Sequence, residues 1–234
     1  MNFRWASATH TGRVRSNNED AVYPPVSGAG EESSLFIVAD GMGGHVAGEV
    51  ASRIAVETAT DIDDTPARRV IGANHALLLE VAEHPELAGM GTTMTLLEID
   101  DDVARLAHVG DSRAYLLRDG ELRQLTVDHT VAAEYVAAGR ISPEEAQNHP
   151  QRNMITRALG LTQDLLVDEI EEPIQPGDRF LLCSDGVNAM LDDNGIKEQL
   201  AAETPEEAVW GLIEAANAAG GHDNITAVVI DVVP

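Results

Sequence analysis

The chain has 234 residues with 40 acidic against 15 basic side chains, and its formal charge of −25 excludes a nucleic-acid footprint and makes an anionic membrane surface an unattractive partner. Hydrophobic residues make up 44%, enough for a substantial core, but only 3% are aromatic, so that core must be mostly aliphatic. No apolar run approaches the ~20 residues that span a bilayer, and one cysteine excludes a disulfide framework, so the expectation is a soluble, cytoplasmic protein kept monomeric by its charge.

In chain order, FRWASATHT (3–11) alternates loosely and reads as a strand. The loop TGRVRSNNED then sets Arg15, Glu19 and Asp20 at the margin of another strand, and PPVSGAGEESS (24–34) reads as a surface loop rich in turn formers. LFIVA (35–39) is a short buried strand ending at Asp40, followed by Gly41, Met42, Gly43 and Gly44. Residues 45–60 read as a helix with Val46, Val50, Ile54 and Ala55 on one face. A second helix covers 65–84, with Thr65 as N-cap and Pro66 at the first helical position.

From 91 to 126 the pattern is a β-meander of four strands joined by tight turns, with Arg118-Asp119-Gly120 as a hairpin signal. Residues 130–165 lose clear periodicity and suit a small flap or lid beside a site. A core strand returns at DRFLLCSDG, where Cys183 reads as a small buried hydrophobe. Two helices follow, at 192–204 and 205–220, and NITAVVIDVV is the last strand. This order suggests antiparallel sheets packed between helical layers, in one domain.

Five separate segments each bring an acidic residue to a strand margin: Glu19 and Asp20, Asp40, Asp111, Asp185 and Asp223. One Asp-Gly pair is an ordinary turn; five such segments point to a shared site for hard divalent ions, whose ligands are carboxylates, carbonyls and water. Asp40, on a loop opened by glycines, is the candidate to bridge two ions, and Arg15 is placed to hold phosphate oxygens. Other site types fare worse. Lys197 lacks a Walker context, HExxH is absent, and the match of residues 61–65 to DxDxT ends a helix instead of a strand. His129 and His222 each neighbour an Asp and suit turns or a role behind the ligands.

RSNNED (15–20), VADGMGG (38–44), GTT (91–93), GDSR (110–113), CSDG (183–186) and DNIT (223–226), in this order, resemble the metal-dependent Ser/Thr protein phosphatases of type 2C, the PPM family, in its bacterial subfamily. The resemblance covers nearly the whole chain. It implies an α+β fold, a four-layer αββα sandwich of two antiparallel sheets flanked by helices, as one catalytic domain over 1–234 with a flap at about 136–165. It implies two Mn²⁺ or Mg²⁺ ions: Asp40 bridges, Gly41 offers its carbonyl to one ion, and Asp185 and Asp223 hold the other. Glu19 and Asp20 would hold metal-bound waters, directly or from behind, and Arg15 would bind phosphate. Asp111, with Asp185 and more loosely Asn153, matches a third, weaker ion site.

One departure concerns the general acid. Relatives with His after the DG can protonate the leaving oxygen, whereas Met42 cannot, which directs attention to a water held beside Asp111. The function implied is hydrolysis of phosphoserine and phosphothreonine in proteins by a metal-activated water, reversing Ser/Thr kinase signalling, with phosphorylated proteins and Ser/Thr kinases as partners. The alternative, a catalytically silent metal-binding or scaffold protein of the same fold, is disfavoured because Arg15, Asp40, Asp185 and Asp223 are all present. A small-molecule phosphatase would be told apart by kcat/KM on phosphopeptides against free esters.

Overall fold

The computed structural model describes residues 2–30, 34–43, 47–100 and 102–233. Among these, two six-stranded antiparallel sheets pack face to face. One runs in the order β3 (Gly28–Gly30), β1 (Asn2–His10), β12 (Ile225–Val233), β11 (Arg179–Cys183), β8 (Arg113–Arg118), β9 (Glu121–Gln124). The other runs β10 (Asp168–Pro173), β7 (Val103–Val109), β6 (Met94–Asp100), β4 (Ser34–Met42), β2 (Asp20–Tyr23), with β5 (Gly91–Thr92) paired to β4. Helices α1 (Ala47–Asp61) and α2 (Pro66–Glu83) lie on the second sheet. The short α5 (Asp185–Asn188), with α6 (Asp193–Leu200) and α7 (Pro205–Ala218), covers the first. The α+β four-layer expectation is met.

Strand β4 explains why the layers form. Phe36, Ile37, Val38 and Ala39 are all fully buried, with alternate side chains on opposite faces. Phe36 and Val38 join Phe3, Leu97, Phe180, Leu182 and Val228 between the sheets, while Ile37 and Ala39 pack under α1 and α2 with Ala51, Ala55, Val70 and Leu77. Burying each larger aliphatic or aromatic side chain contributes roughly 1.5–3 kcal/mol. A strand covered on both faces therefore loses the polar alternation of a half-exposed one.

Several expectations need correction. The four strands at 91–126 are not one meander: β6–β7 is a hairpin of one sheet and β8–β9 of the other. The chain changes sheets at Gly110, Asp111 and Ser112, where Gly110 adopts φ +114° and a Cβ would meet Thr93 at 2.5 Å. The β8–β9 turn does form at Asp119 and Gly120, both with positive φ. β3 falls in the stretch expected to be a surface loop, and β10 lies where no strand is expected; both are edge strands, and β10 carries the charges that protect an exposed edge.

In α1 the buried stripe is Ala51, Ser52, Ala55, Val56 and Ala59, while Val50 and Ile54 are only partly covered. Small residues face the sheet because the helix sits close to it. Gly44 and Val46 lie outside the described residues. Thr65 holds the N-cap position of α2 before Pro66, but its hydroxyl makes no capping bond, whereas Thr204 and Glu207 form a full capping box on α7. Within 130–165 are the short helices α3 (Val131–Ala137) and α4 (Pro143–Gln147), each capped by a hydroxyl, Thr130 and Ser142. Pairing of Thr92 with Leu159 attaches this segment to the sandwich, and pairing of Thr130 with Ile155 closes the segment on itself.

Candidate metal centre

The acidic residues meet where the ends of both sheets come together. Asp20 and Asp40 stand directly opposite each other in the β2–β4 register, which brings two carboxyl-bearing residues side by side. Ser184, at the end of β11 in the other sheet, donates its hydroxyl to Asp20 Oδ2 at 2.7 Å. The Ser184 oxygen also accepts from Thr226 N at 3.0 Å, so Asp20 is fixed through two strands of the opposite layer. Asp185 follows Ser184 and opens α5. Gly186 beside it is required by close approach, since a Cβ there would lie 1.9 Å from Asn224 O.

Asp223 precedes β12 and accepts from Asn224 N at 2.9 Å on one oxygen and from Arg15 Nη2 at 2.7 Å on the other. Asn224 is the organiser of this corner. Its side-chain oxygen accepts from Glu19 N at 2.7 Å, and its amide donates to Thr11 O and Asn17 O at 3.0 and 2.8 Å. The loop carrying Arg15 and Glu19 is thereby laid against the start of β12. Gly41 N donates to Glu19 O at 3.0 Å, and a Cβ on Gly41 would lie 2.1 Å from Gly48 O. The first turn of α1 therefore packs directly on the end of β4, and the Glu19 side chain lies against Gly48.

Thr93 links Asp40 to Asp111. Its hydroxyl accepts from Asp40 N at 3.0 Å and is 2.8 Å from the Ser112 hydroxyl, one residue beyond Asp111. Arg15, Glu19, Asp20, Asp40, Gly41, Asp185 and Asp223 are thus tied into one corner, with Asp111 connected through Thr93 and Ser112. Asn153 lies in an exposed turn and makes no hydrogen bond to this network among the described residues.

The electrostatics are those of crowded acids. Burial, then Asp185 and Asp223, pushes Asp20 up to about 7, against the lowering effect of its hydroxyl donors. Burial and the neighbouring Asp185 push Asp111 up to about 7, and burial with Asp223 pushes Asp185 up to about 6. Asp40, buried among four other carboxylates, is held well above the ordinary carboxylate range. Burial raises Glu19 as well. Arg15 is raised too, and holds its proton more tightly through its bond to Asp223. Such a cluster retains protons until a cation replaces them.

The donor set fits a hard, water-rich ion. Asp20 Oδ1 and Asp185 Oδ1 are buried with no hydrogen-bond partner, the condition that coordination relieves. Among the described residues, no three His, Cys, Asp or Glu side chains stand close enough together to form a metal-holding cage. An ion such as Mg²⁺ does not need one, since it uses one or two carboxylates and keeps several waters. Ser184, Asn224, Thr93 and Ser112 are the site residues that sequence reasoning missed. Their signal was adjacency: Ser184 and Ser112 flank an Asp, and Asn224 follows one.

Known proteins resemble this chain along nearly its whole length. Residues 9–210 match the family described as protein phosphatase 2C. The chain is 43% identical over 244 aligned positions to the serine/threonine protein phosphatase PstP of Mycobacterium tuberculosis, covering 98% of this chain and 45% of that protein, so it spans about half that relative's length. It is 38% identical to the serine/threonine phosphatase stp of Listeria monocytogenes, covering 95% of this chain and 93% of that one. A crystal structure of the M. tuberculosis PstP superposes with a TM-score of 0.92 at 41% identity, covering 100% of both chains. The PstP catalytic domain in complex with two manganese ions gives 0.89 at 40% identity, covering 100% of this chain and 99% of that one.

Proposed function

The chain belongs to the protein phosphatase 2C family, and on that footing we propose that it hydrolyses phosphoserine and phosphothreonine in proteins at a centre for two Mn²⁺ or Mg²⁺ ions. The observation that carries the reading is the pairing of Asp20 with Asp40, beside carboxylate oxygens that have no partner and an arginine held at the same corner. Asp40 and the Gly41 carbonyl would hold one ion, Asp185 and Asp223 the other, with Asp20 and Glu19 behind them and Asp111 at a third, weaker position. When bound, such ions would supply a water of lowered pKa for attack on phosphorus.

The chain's own residues supply the remainder. Arg15, half-exposed and anchored by Asp223, presents guanidinium N–H groups to phosphate oxygens. Ser184 holds the Asp20 carboxylate, Asn224 that of Asp223, and Thr93 the main chain of Asp40, so that little rearrangement accompanies binding. Cys183 is not placed to act as a nucleophile, because it is fully buried and its thiol is pushed up to about 12 by burial.

Residues 1–234 form, on this reading, one catalytic domain, with about 136–165 as a flap beside the site. Substrates are proteins phosphorylated by Ser/Thr kinases, including the kinases themselves, and the enzyme works in the cytoplasm as a monomer. The charge of −25 supports the monomer, and among the described residues no helix is long and apolar enough to cross a membrane. The test is phosphate release from a phosphothreonine peptide with Mn²⁺, Mg²⁺ or EDTA, for wild type and Asp40→Asn. Metal-dependent release that falls by at least about 100-fold in the variant supports the proposal, since groups that merely orient ligands already cost 10–100-fold. A folded wild-type protein that releases no phosphate with either metal would overturn it in favour of a binding protein.

A further inference from the structure

His129 lies outside the carboxylate cluster, yet it grips the backbone next to Asp111. Its N–H donates to Gly110 O at 2.7 Å, and its ring Nδ1 accepts from Gly110 N at 3.0 Å. Both main-chain groups of the residue before Asp111 are therefore held by one histidine. Because Nδ1 accepts, the neutral ring carries its proton on Nε2. That nitrogen faces Asp168 Oδ2 at 3.2 Å, with Arg157 Nη1 also 3.2 Å away, while the other Asp168 oxygen accepts from Arg157 Nη1 at 2.8 Å. Arg157 belongs to the end of the 130–160 segment, whose Thr156 N also donates to His129 O at 2.8 Å.

The ring has little freedom. His129 is buried, and His108 lies against it with ring centroids 4.9 Å apart. His108 is itself fully buried and held between the Thr95 hydroxyl and Val127 O. Packing of this kind locks orientation, and the two ring nitrogens face different parts of the fold. One faces the turn carrying Asp111; the other faces the ion pair that closes the 130–160 segment onto β10.

We propose that His129 is a positioning residue that couples the 130–160 segment, through Asp168 and Arg157, to the placement of Gly110 and hence of Asp111. The proposal rests on the reading of Asp111 as part of the metal centre, but its structural part can be tested without metal or substrate. The measurement is residue-resolved amide exchange in the metal-free protein. Asp168 makes no hydrogen bond to Gly110 among the described residues, and Asp168→Asn changes a half-exposed side chain.

The coupling predicts that Asp168→Asn speeds exchange of the Gly110 amide by about tenfold, the scale of one weakened hydrogen bond. His129→Asn keeps an acceptor near Nδ1 but loses the Nε2 donor, so adding Asp168→Asn to it should produce no further change. His129→Gln keeps a donor toward Asp168 and loses the acceptor, and should release Gly110 by itself. With metal present, Asp168→Asn should lower kcat on a phosphothreonine peptide while KM stays within about twofold. An unchanged Gly110 amide in Asp168→Asn, or additive effects in the double variant, would overturn the coupling. Absence of turnover in wild type would instead strike the phosphatase reading and leave the exchange result standing.

Discussion

Replacing Asp111 by Asn should stabilise the metal-free protein at alkaline pH, and the structure gives both the sign and the scale. Asp111 is only 6% exposed, and its carboxyl titrates at about 7 instead of 3.8 because burial, Asp185 and Asp128 oppose its charge more than Arg113 favours it. A carboxyl raised on folding contributes stability that is complete below its unfolded value and is lost as pH rises through the folded one. The gap from 3.8 to about 7 corresponds to a ceiling of about 4 kcal/mol. Asn has the same shape and never ionises. The stability difference should therefore be near zero close to pH 4, grow between pH 4 and 7, and level off above. At roughly 2–4 °C per kcal/mol for a chain of this size, even half the ceiling raises Tm by at least about 4 °C at pH 8. Thermal unfolding in EDTA across this range, for wild type and Asp111→Asn, measures it directly. A difference independent of pH, or a variant that melts lower at pH 8, would refute the crowded-acid account of the site.

Three further outcomes follow from the same geometry. Arg15→Ala removes the group offered to phosphate, and kcat/KM on a phosphopeptide should fall by roughly 10–100-fold, the worth of one charged hydrogen-bonding pair; Arg15→Lys should recover only part. Asn224→Ala strips the partners from Glu19 N, Thr11 O and Asn17 O, so denaturant unfolding should show a loss of about 2–4 kcal/mol. Gly41→Ala would force a Cβ to 2.1 Å from Gly48 O and 2.6 Å from Glu19 O, both main-chain atoms. It should cost about 1–3 kcal/mol and blunt the rise in Tm produced by Mn²⁺.

The carboxylates were legible in the sequence because each has a local signature. Asp40 and Asp185 end apolar runs, Asp111 sits in a Gly-Asp turn, and Asp223 opens a strand. The layered fold could be read for a related reason, since β4, β11 and β12 are apolar on both faces and need cover on each. Sheet membership could not be read. β7 and β8 look like successive strands of one meander, and the three residues that send them to different sheets form an ordinary-looking turn. The neutral residues of the site were hidden for a similar reason: Ser184 meets Asp20 across 164 positions and Asn224 meets Glu19 across 205. A serine or asparagine carries no mark of such a partner until the chain has folded.

Those neutral residues decide how the site can work. Four or five carboxylates would drive one another apart unless each were tethered, and a tether that used every oxygen would leave none for an ion. In this fold Ser184 holds one oxygen of Asp20 and leaves the other without a partner, and one oxygen of Asp185 is likewise free. Asp223 is the exception, with one oxygen on Asn224 N and the other on Arg15. An ion taken up by Asp223 would therefore compete with Arg15 for that carboxylate. The guanidinium displaced from it needs another anion, and phosphate is the anion the reaction brings. On this reading the Arg15–Asp223 pair holds both partners in place before the ion and substrate arrive. Binding of the two should then be mutually supportive, so that Mn²⁺ affinity measured by calorimetry rises when phosphate is present, and does so less in Arg15→Ala.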